Sequence, residues 1–238
     1  MEAQIRIGSR RSFGLKQAVL IYRDNSAAFA TLHDVQGDKD RAPYLGPGQS
    51  LTTAFLRSLT QGLGSTVAPE ILPENVLART PDLVVWWSKA ARRVMFFDGG
   101  TNGAAALNGH VYPHPPLVFK VYQHELFVRA LERNIRPSAD TPLKSAPYWN
   151  TEGSRGLVCA GTMRIPQEMR ADNISAWESS FFSSSFTHPS GAVRLTSHSQ
   201  GSAGLWLSLA DREKPFPTEF LTDARQTLRQ FVDTTQEQ

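Results

Sequence analysis

The chain has 238 residues, of which 40% are hydrophobic, so it is long enough to bury one main core. Its formal charge of +3 is small and scattered, which argues against direct binding of nucleic acid. A single cysteine excludes an internal disulfide and a zinc site built from paired cysteines. No apolar run reaches the roughly 18 residues of a membrane span, and no hydrophobic region follows the basic N-terminus, so we expect a soluble, cytoplasmic protein that does not bind membranes.

Two short β-prone runs, residues 18–22 and 27–33, flank the turn-forming sequence Arg23-Asp24-Asn25-Ser26 and predict a hairpin. Glycine, aspartate and proline then break regular structure over residues 34–48. Ser50 is a candidate N-cap for a helix in which leucine and phenylalanine recur at helical spacing up to residue 63. We predict an N-terminal hairpin and linker over residues 1–49, which either joins the main sheet or forms a separate lobe, and a main domain over residues 50–238.

Residues 83–97 predict a second hairpin, with strands at 83–87 and 93–97 and a turn at 88–92. A third strand is expected at residues 117–122, entered through residues 113–116, three of which are proline, because proline suits the start of a strand and not its middle. Residues 126–131 fit either a strand or a helix, and we favour a fourth strand that pairs back through residues 123–125. Together these strands predict an antiparallel meander.

Residues 134–150 carry three prolines and no sustained period, so an extended surface loop is predicted there. Asn173 is a candidate N-cap for a helix whose apolar face contains Ile174, Trp177 and Phe181. A short helical or irregular apolar segment is expected near residues 205–209. The last predicted helix begins near Thr218 and carries apolar side chains up to residue 232.

The only cysteine, Cys159, lies in a glycine-rich polar run at residues 146–166, a setting unlike routine core packing. A thiolate in such a loop is a candidate nucleophile, and Arg155 is near enough in sequence to help lower the pKa of the thiol. The alternative is a buried structural cysteine, which is the usual state of an unpaired cysteine. The residues around the thiol leave both interpretations open.

The order of elements resembles the ubiquitin-conjugating enzyme fold, which has a helix, an antiparallel meander, a proline-led strand, a long loop, a Gly-x-x-Cys run and another helix. The active-site run of that fold reads His-Pro-Asn, a few residues, Gly, two residues and Cys. Here Tyr148-Trp149-Asn150 stands in place of His-Pro-Asn, and Gly156-Leu157-Val158-Cys159 keeps the spacing from glycine to cysteine. Asn150 lies one residue further from the cysteine than in that family. The resemblance implies an α+β fold in which helices flank the sheet and an N-terminal extension precedes it.

Over residues 83–191 the sequence resembles PRTRC system protein B, the prokaryotic ubiquitin-conjugating-enzyme-like family D of bacterial plasmid cassettes. The segments that carry this resemblance are Pro113-His114-Pro115-Pro116-Leu117-Val118-Phe119-Lys120-Val121, Thr141-Pro142-Leu143, Ala146-Pro147-Tyr148-Trp149-Asn150 and Gly156-Leu157-Val158-Cys159-Ala160-Gly161-Thr162. The resemblance implies that Cys159 carries a ubiquitin-like partner as a thioester and transfers it to an amine. It also implies the partners: a ThiF-like activating enzyme, the ubiquitin-like protein and a JAB-type peptidase-like protein.

The resemblance brings two further residues into the candidate site. Asn150 would donate a hydrogen bond to the oxyanion that forms when the amine attacks the thioester; its alternative role is to satisfy backbone groups and hold the loop. The family lacks the usual active-site histidine and carries another after the cysteine, a position that His188 matches. His188 would orient the thiol or accept a proton from the amine, and its alternative is a turn residue before Pro189.

Two other functions fit the same residues. The missing His-Pro-Asn and the shifted Asn150 fit a catalytically inactive binding platform within the cassette. A hydrolase that uses Cys159 and His188 is a third hypothesis, although no orienting acid is identifiable. His110 and His114 have a spacing that suits a metal ion on a helix, but the nearby prolines exclude that helix, so we predict no metal site and no cofactor.

Overall fold

The computed structural model describes residues 4–6, 12–24, 28–37, 42–62, 70–98, 104–188 and 194–233. The chain forms two compact units, Met1–Pro69 and Glu70–Gln238. The domain division predicted between residues 49 and 50 stays a prediction. Within the described ranges, no helix is both long enough and apolar enough to cross a membrane.

The first unit contains a β-hairpin, several short strands and a helix: β1 (Gln4–Arg6), β2 (Ser12–Gly14), β3 (Gln17–Arg23), β4 (Ala28–Gln36), β5 (Tyr44–Leu45), β6 (Gln49–Ser50) and α1 (Thr53–Gly62). Residues 17–23 pair antiparallel with residues 28–34, which confirms the predicted hairpin. α1 confirms the predicted helix, but its cap differs. The hydroxyl of Thr52 accepts a hydrogen bond from the N–H of Phe55 at 3.1 Å. Ser50, the predicted cap, lies in β6 and pairs with Thr31 of β4.

The second unit contains the elements β7 (Val76–Thr80), β8 (Leu83–Ser88), β9 (Ala91–Val94), β10 (Phe96–Phe97), β11 (Val111–His114), β12 (Leu117–Tyr122), β13 (Glu125–Ala130), β14 (Pro142–Ser145), α2 (Ile174–Phe182), β15 (Ser185–Phe186), α3 (Gly201–Leu209), β16 (Asp223–Thr227) and α4 (Leu228–Asp233). It is built on a six-stranded sheet with the order β16-β14-β13-β12-β8-β7, in which every pair of neighbours is antiparallel. Two smaller strand pairs accompany this sheet, β9 with β11 and β10 with β15.

The predicted third and fourth strands are confirmed by β12 and β13, which form a tight hairpin. Tyr122 lies opposite Glu125, so Gln123 and His124 alone make the turn. Both turn residues have positive φ angles, 48° and 68°, as a type I′ turn in a two-residue hairpin loop requires. Residues 126–131 are therefore mostly strand and not helix.

The predicted hairpin over residues 83–97 is wrong. β8 pairs with β7 on one edge and with β12 on the other, while β9 pairs with β11. Every residue of β8 is buried, because the strand lies inside the sheet and both faces are covered. Because both edges of β8 are already paired, the chain leaves the sheet after Ser88, and the next strand, β9, pairs with β11 instead.

Two further expectations for the second unit need correction. The predicted loop over residues 134–150 contains β14, which begins at Pro142, where a missing N–H does least harm to a strand. The predicted helix from Thr218 is reduced to α4, because β16 pairs with the edge of β14 and Arg225 adopts a positive φ of 53°. Pairing with a distant strand overrides the local helical period.

The helix at residues 174–182 confirms the predicted one, and the segment near residues 205–209, expected to be either helical or irregular, is the helix at residues 201–209. The cap of α2 differs, because the side chain of Asn173 makes no capping hydrogen bond and donates instead to the carbonyl of Glu168 at 3.2 Å. α2 and α3 bury Trp177, Phe181 and Trp206, while Leu228 and Phe231 of α4 are also buried. The combination of an antiparallel sheet with flanking helices agrees with the predicted class.

Two apolar clusters lie on opposite faces of the sheet. The first contains Trp86, Phe119 and Val128 together with α2 and α3, and the second contains Trp87, Val118 and Phe127 together with α4. Successive strand residues alternate between the two clusters, as the pleat of a strand requires. The adjacent tryptophans of β8 are thereby both buried, and the sheet is covered on both faces.

Candidate functional site

Cys159 ends a short hairpin of residues 150–159, which we name the cysteine hairpin. The N–H of Cys159 donates to the carbonyl of Asn150 at 2.7 Å, and the N–H of Glu152 donates to the carbonyl of Leu157 at 2.8 Å. A further bond, from the N–H of Gly156 to the carbonyl of Glu152 at 2.7 Å, closes the turn. The two arms are thus tied together from the turn to the cysteine.

The second arm of the cysteine hairpin is also tied to the edge of β13. The N–H of Val128 donates to the carbonyl of Gly156 at 2.8 Å, and the N–H of Val158 donates to the carbonyl of Leu126 at 2.8 Å. Leu157 packs against the second apolar cluster, and Val158 belongs to the first. The arm is therefore an extension of the sheet, and the chain leaves that sheet at the cysteine.

Gly156 allows this arm to approach β13 closely. Its φ of +78° is a left-handed conformation, and a β-carbon there would lie 2.6 Å from the carbonyl oxygen of Val128. The same β-carbon would lie 3.2 Å from Nε of Arg129. Only glycine satisfies both the dihedral angle and the close approach. This is the physical reason for a glycine three residues before the cysteine.

The thiol of Cys159 is free and exposed. Across the part of the chain that the structure describes, its sulfur takes part in no hydrogen bond. The charge of Arg155 is paired with Glu152, with Nη2 and Oε2 3.0 Å apart. Hydrogen bonds from Ser154 and Arg155 hold the pKa of the Glu152 carboxyl below its usual value. Arg155 therefore has a partner other than the thiol that it was expected to assist.

The side chain of Asn150 is buried and binds the segment that follows α2. Its Nδ2 donates to the carbonyl of Ser185 at 2.9 Å. Its Oδ1 accepts hydrogen bonds from the N–H of Thr187 at 3.1 Å, the hydroxyl of Thr187 at 3.0 Å and the N–H of His188 at 3.3 Å. Its φ of 59° is left-handed, which asparagine tolerates better than most residues. Both ends of the amide are thus engaged with the segment after α2.

His188 lies beside Asn150 through the backbone. Its carbonyl accepts a hydrogen bond from the N–H of Asn150 at 2.8 Å, while its side chain is exposed. Nδ1 of the ring lies 2.9 Å from the hydroxyl of Thr187. The backbones of Cys159, Asn150 and His188 are thus joined in one chain of hydrogen bonds. Among the described residues, no hydrogen bond joins the side chains of these three residues.

Two residues at the site had no role in the expectations from sequence. The hydroxyl of Thr162 accepts a hydrogen bond from the N–H of Ser185 at 2.7 Å, which joins the turn after Cys159 to the segment that Asn150 holds. The guanidinium of Arg129 donates to the carbonyls of Gly153 and Ser154 in the turn of the cysteine hairpin. Arg129 was visible as the one charged residue within the apolar run at residues 126–131, whereas Thr162 had no such signal.

An open cleft of about 650 Å³ lies between α2 and the chain around β9 and β10. Arg93 and Glu178 line it and are paired with each other at 3.0 Å. Phe96 on its rim is 41% exposed. Ser185 pairs with Phe96 in a parallel bridge and also accepts the hydrogen bond from Asn150, so one end of the cleft borders the site. No group of three or more metal-binding side chains occurs within the described residues.

One family model matches the chain, over residues 53–224, and its description is prokaryotic E2 family D. No match was found among the curated proteins or among the solved structures. The matched range begins at α1 and includes the cysteine hairpin, Asn150, Cys159 and His188. Because this range covers most of the sequence, the chain belongs to prokaryotic E2 family D, a membership that indicates a ubiquitin-conjugating-like function.

Proposed function

We propose that the protein carries a ubiquitin-like partner as a thioester on Cys159 and transfers it to an amine. The observation that supports this most directly is the exposed thiol at the end of a hairpin that is fixed along both arms. A nucleophile needs to be reachable, and its backbone needs to be held in one place. Cys159 meets both requirements within a chain of the matching family.

In the proposed reaction the thiolate of Cys159 attacks the thioester carbonyl that joins the partner to its activating enzyme. A new carbon–sulfur bond forms, and the sulfur of the activating enzyme departs as a thiolate that takes up a proton. An acceptor amine then attacks the Cys159 thioester. An amide bond forms, the amine gives up a proton, and the sulfur of Cys159 departs.

His188 is the proposed acceptor of the proton from the amine. Its side chain is exposed, and because Nδ1 contacts the hydroxyl of Thr187, the proton would go to Nε2. Asn150 is proposed to act on the same step. As an oxyanion donor its Nδ2 would have to exchange the carbonyl of Ser185 for the reacting oxygen, and as an anchor it would keep the backbone of Cys159 in place.

The wider proposal extends to the fold and the partners. We propose that residues 50–238 adopt the ubiquitin-conjugating type of fold, with residues 1–49 as an extension. The activating enzyme is proposed to be ThiF-like, and a JAB-type peptidase-like protein and the ubiquitin-like protein complete a plasmid-borne PRTRC cassette. Cytoplasmic localisation is part of the same proposal, since the chemistry needs a reduced thiol.

To test this proposal, the protein is mixed with the ThiF-like enzyme, the ubiquitin-like protein and ATP, and the products are separated by electrophoresis without reductant. The expected product is an adduct that dithiothreitol removes. Because the chain has one cysteine, any such adduct on this protein has to be at Cys159. Cys159→Ser is expected to lose the reducible adduct, and the wild-type protein incubated without ATP is the control with the thiol intact. The wild-type protein remaining unmodified would refute the proposal.

A second candidate is a catalytically inactive binding platform. It is favoured by the amide of Asn150, whose two ends are already engaged by Ser185 and the residues after it. In that case Cys159→Ser binds the cassette partners as tightly as wild type, and the wild-type protein forms no adduct. Calorimetric titration of both forms with the ubiquitin-like protein, run beside the adduct assay, separates the two functions.

A further inference from the structure

Arg129 is a buried cation in an apolar part of the sheet. It is 1% exposed and projects from β13 on the face that carries the second apolar cluster. Burial lowers the pKa of its guanidinium to about 10, which still leaves it charged at neutral pH. Placing a charge there is costly unless hydrogen bonds replace the lost water. A residue of this kind usually has a specific task.

The hydrogen bonds of Arg129 reach two parts of the molecule. Nη1 donates to the carbonyl of Gly153 at 2.9 Å, and Nη2 donates to the carbonyl of Ser154 at 2.5 Å. Nε lies 3.3 Å from Oε1 of Gln226 in β16. The two bonds from the ends of the guanidinium hold the turn of the cysteine hairpin. The third bond ties that turn to the C-terminal part of the sheet.

The position of Arg129 depends on the glycine of the hairpin. A β-carbon on Gly156 would lie 3.2 Å from Nε and 3.3 Å from Cζ of Arg129, so the guanidinium lies in the space left by the missing side chain. Arg129 and Gly156 therefore form a complementary pair across the edge of β13. The fork shape of the guanidinium explains the choice of arginine, since the single ammonium of lysine cannot serve both carbonyls with the same geometry.

We propose that Arg129 is a positioning residue for Cys159, which it serves by clamping the turn of the cysteine hairpin to β13 and β16. The clamp acts through the hairpin ladder. Holding the carbonyls of Gly153 and Ser154 keeps the turn closed, and the closed turn keeps the arms paired up to the bond between Cys159 and Asn150. The consequence for acyl transfer rests on the proposed function, but the consequence for the hairpin does not.

Lys120 provides a matched control. It is also a buried cation on this face of the sheet, and it is 3% exposed. Its Nζ donates to the carbonyl of Phe231 in α4 at 2.8 Å and lies 4.6 Å from the centre of that ring. Its hydrogen bond therefore goes to the C-terminal helix and not to the cysteine hairpin. Lys120→Met removes a buried charge from the same cluster without opening the clamp.

Amide hydrogen exchange on the full chain tests the clamp directly. In Arg129→Met we expect the hairpin-bonded amides of Glu152, Gly156 and Cys159 to exchange at least about tenfold faster than in wild type, with wild-type rates there in Lys120→Met. Arg129→Lys is expected to resemble Arg129→Met, and it replaces that variant should Arg129→Met fail to fold. A change of less than about twofold in both arginine variants, equal acceleration in Lys120→Met, or full protection in Arg129→Lys would overturn the proposal.

A second readout uses the proposed reaction. Discharge of the Cys159 thioester to hydroxylamine is expected to slow at least about tenfold in Arg129→Met. In the separate loading step, the KM for the charged activating enzyme is expected to stay unchanged, because misplacing a reacting group lowers the rate and spares binding. If the wild-type protein forms no thioester, the proposed function fails while hydrogen exchange still decides the clamp. If the thioester discharges at the wild-type rate in a variant with an open hairpin, the clamp exists but does not position Cys159, and the proposal is overturned.

Discussion

The carbonyl oxygen of Val128 lies 2.6 Å from the place that a β-carbon on Gly156 would occupy. This contact makes the glycine a structural requirement of the cysteine hairpin. Gly156→Ala is expected to lower the free energy of unfolding by about 3 kcal/mol, since left-handed strain and a steric clash add together. Urea denaturation measures the loss.

Gly109 provides the control for that substitution. Its φ of +79° matches that of Gly156, but a β-carbon there would meet no atom within 4 Å. Gly109→Ala is expected to cost about 1 kcal/mol, the dihedral strain alone. Equal losses in the two variants would show that the contact with Val128 carries no energy.

Asn150 is expected to be among the most sensitive positions for stability near the site. Asn150→Ala removes the acceptor of Thr187 and His188 and leaves alanine in a left-handed conformation with a φ of 59°. We expect a loss of about 3 kcal/mol on unfolding in urea. Asn150→Gly keeps the dihedral angle and loses only the hydrogen bonds, so its loss should be about 1 kcal/mol smaller. Near-wild-type stability of Asn150→Ala would contradict the anchoring role.

His114 should make the protein sensitive to mild acid. Burial lowers the pKa of His114 from its ordinary 6.5 to about 3, and its ring contacts the hydroxyl of Tyr148 at 2.7 Å. Below pH 6.5 His114 becomes protonated in the unfolded chain but stays neutral in the folded chain, so the free energy of unfolding falls as the pH falls. Between pH 7.5 and 5 the contribution of His114 to this loss is about 2 kcal/mol.

His114→Asn is the comparison variant for that measurement, because an amide can accept the hydrogen bond of Tyr148 and does not titrate. Thermal or urea unfolding of both proteins across this pH range gives the difference. The variant is expected to lose about 2 kcal/mol less than wild type between pH 7.5 and 5. Parallel pH profiles for the two proteins would contradict the assignment to His114.

Lys120 should act in the opposite pH range. Burial, assisted by the charge of Arg129, lowers the pKa of Lys120 from 10.5 to about 8. Between these values the unfolded chain holds a proton that the folded chain has lost, so stability rises with pH. From pH 7 to pH 9.5 the wild-type protein should gain about 2 kcal/mol relative to Lys120→Met. Urea denaturation at the two pH values measures the gain, and a constant difference would contradict the lowered pKa.

Local signals predicted part of the fold correctly. The hairpin of β12 and β13 followed from two apolar runs around a short polar segment, although its turn is residues 123–124 and not the predicted 123–125. The helix α2 followed from the spacing of Ile174, Trp177 and Phe181. The error at residues 83–97 arose because β8 pairs with residues 76–80 and 117–122, and the local pattern of residues 83–97 contains no information about these partners. The prediction of the last helix was wrong for the same reason, since residues 223–227 form a strand that pairs with β14.

For the candidate site as well, local features were predicted from the sequence and long-range contacts were not. The spacing of Gly156 and Cys159 identified the glycine-rich run around the thiol, but the sequence did not predict that residues 150–159 form a hairpin. The partners of Asn150 lie on a segment 35 to 38 residues away, and the acceptors of Arg129 lie 24 and 25 residues away. Such contacts arise from the tertiary fold and leave no period in the chain, so a residue's position in the sequence did not reveal what its side chain holds.

The exposed cysteine, which directly follows one residue from each apolar cluster region, makes the protein its own spectroscopic probe. Leu157 and Val158, which precede the thiol, pack into opposite clusters, and the chain has no second cysteine to compete for a label. A maleimide fluorophore or a nitroxide attached to the wild-type protein therefore reports from one defined point. Loosening of the first cluster should reach that point through Val158 and loosening of the second through Leu157, so the label's mobility registers changes on both faces of the sheet.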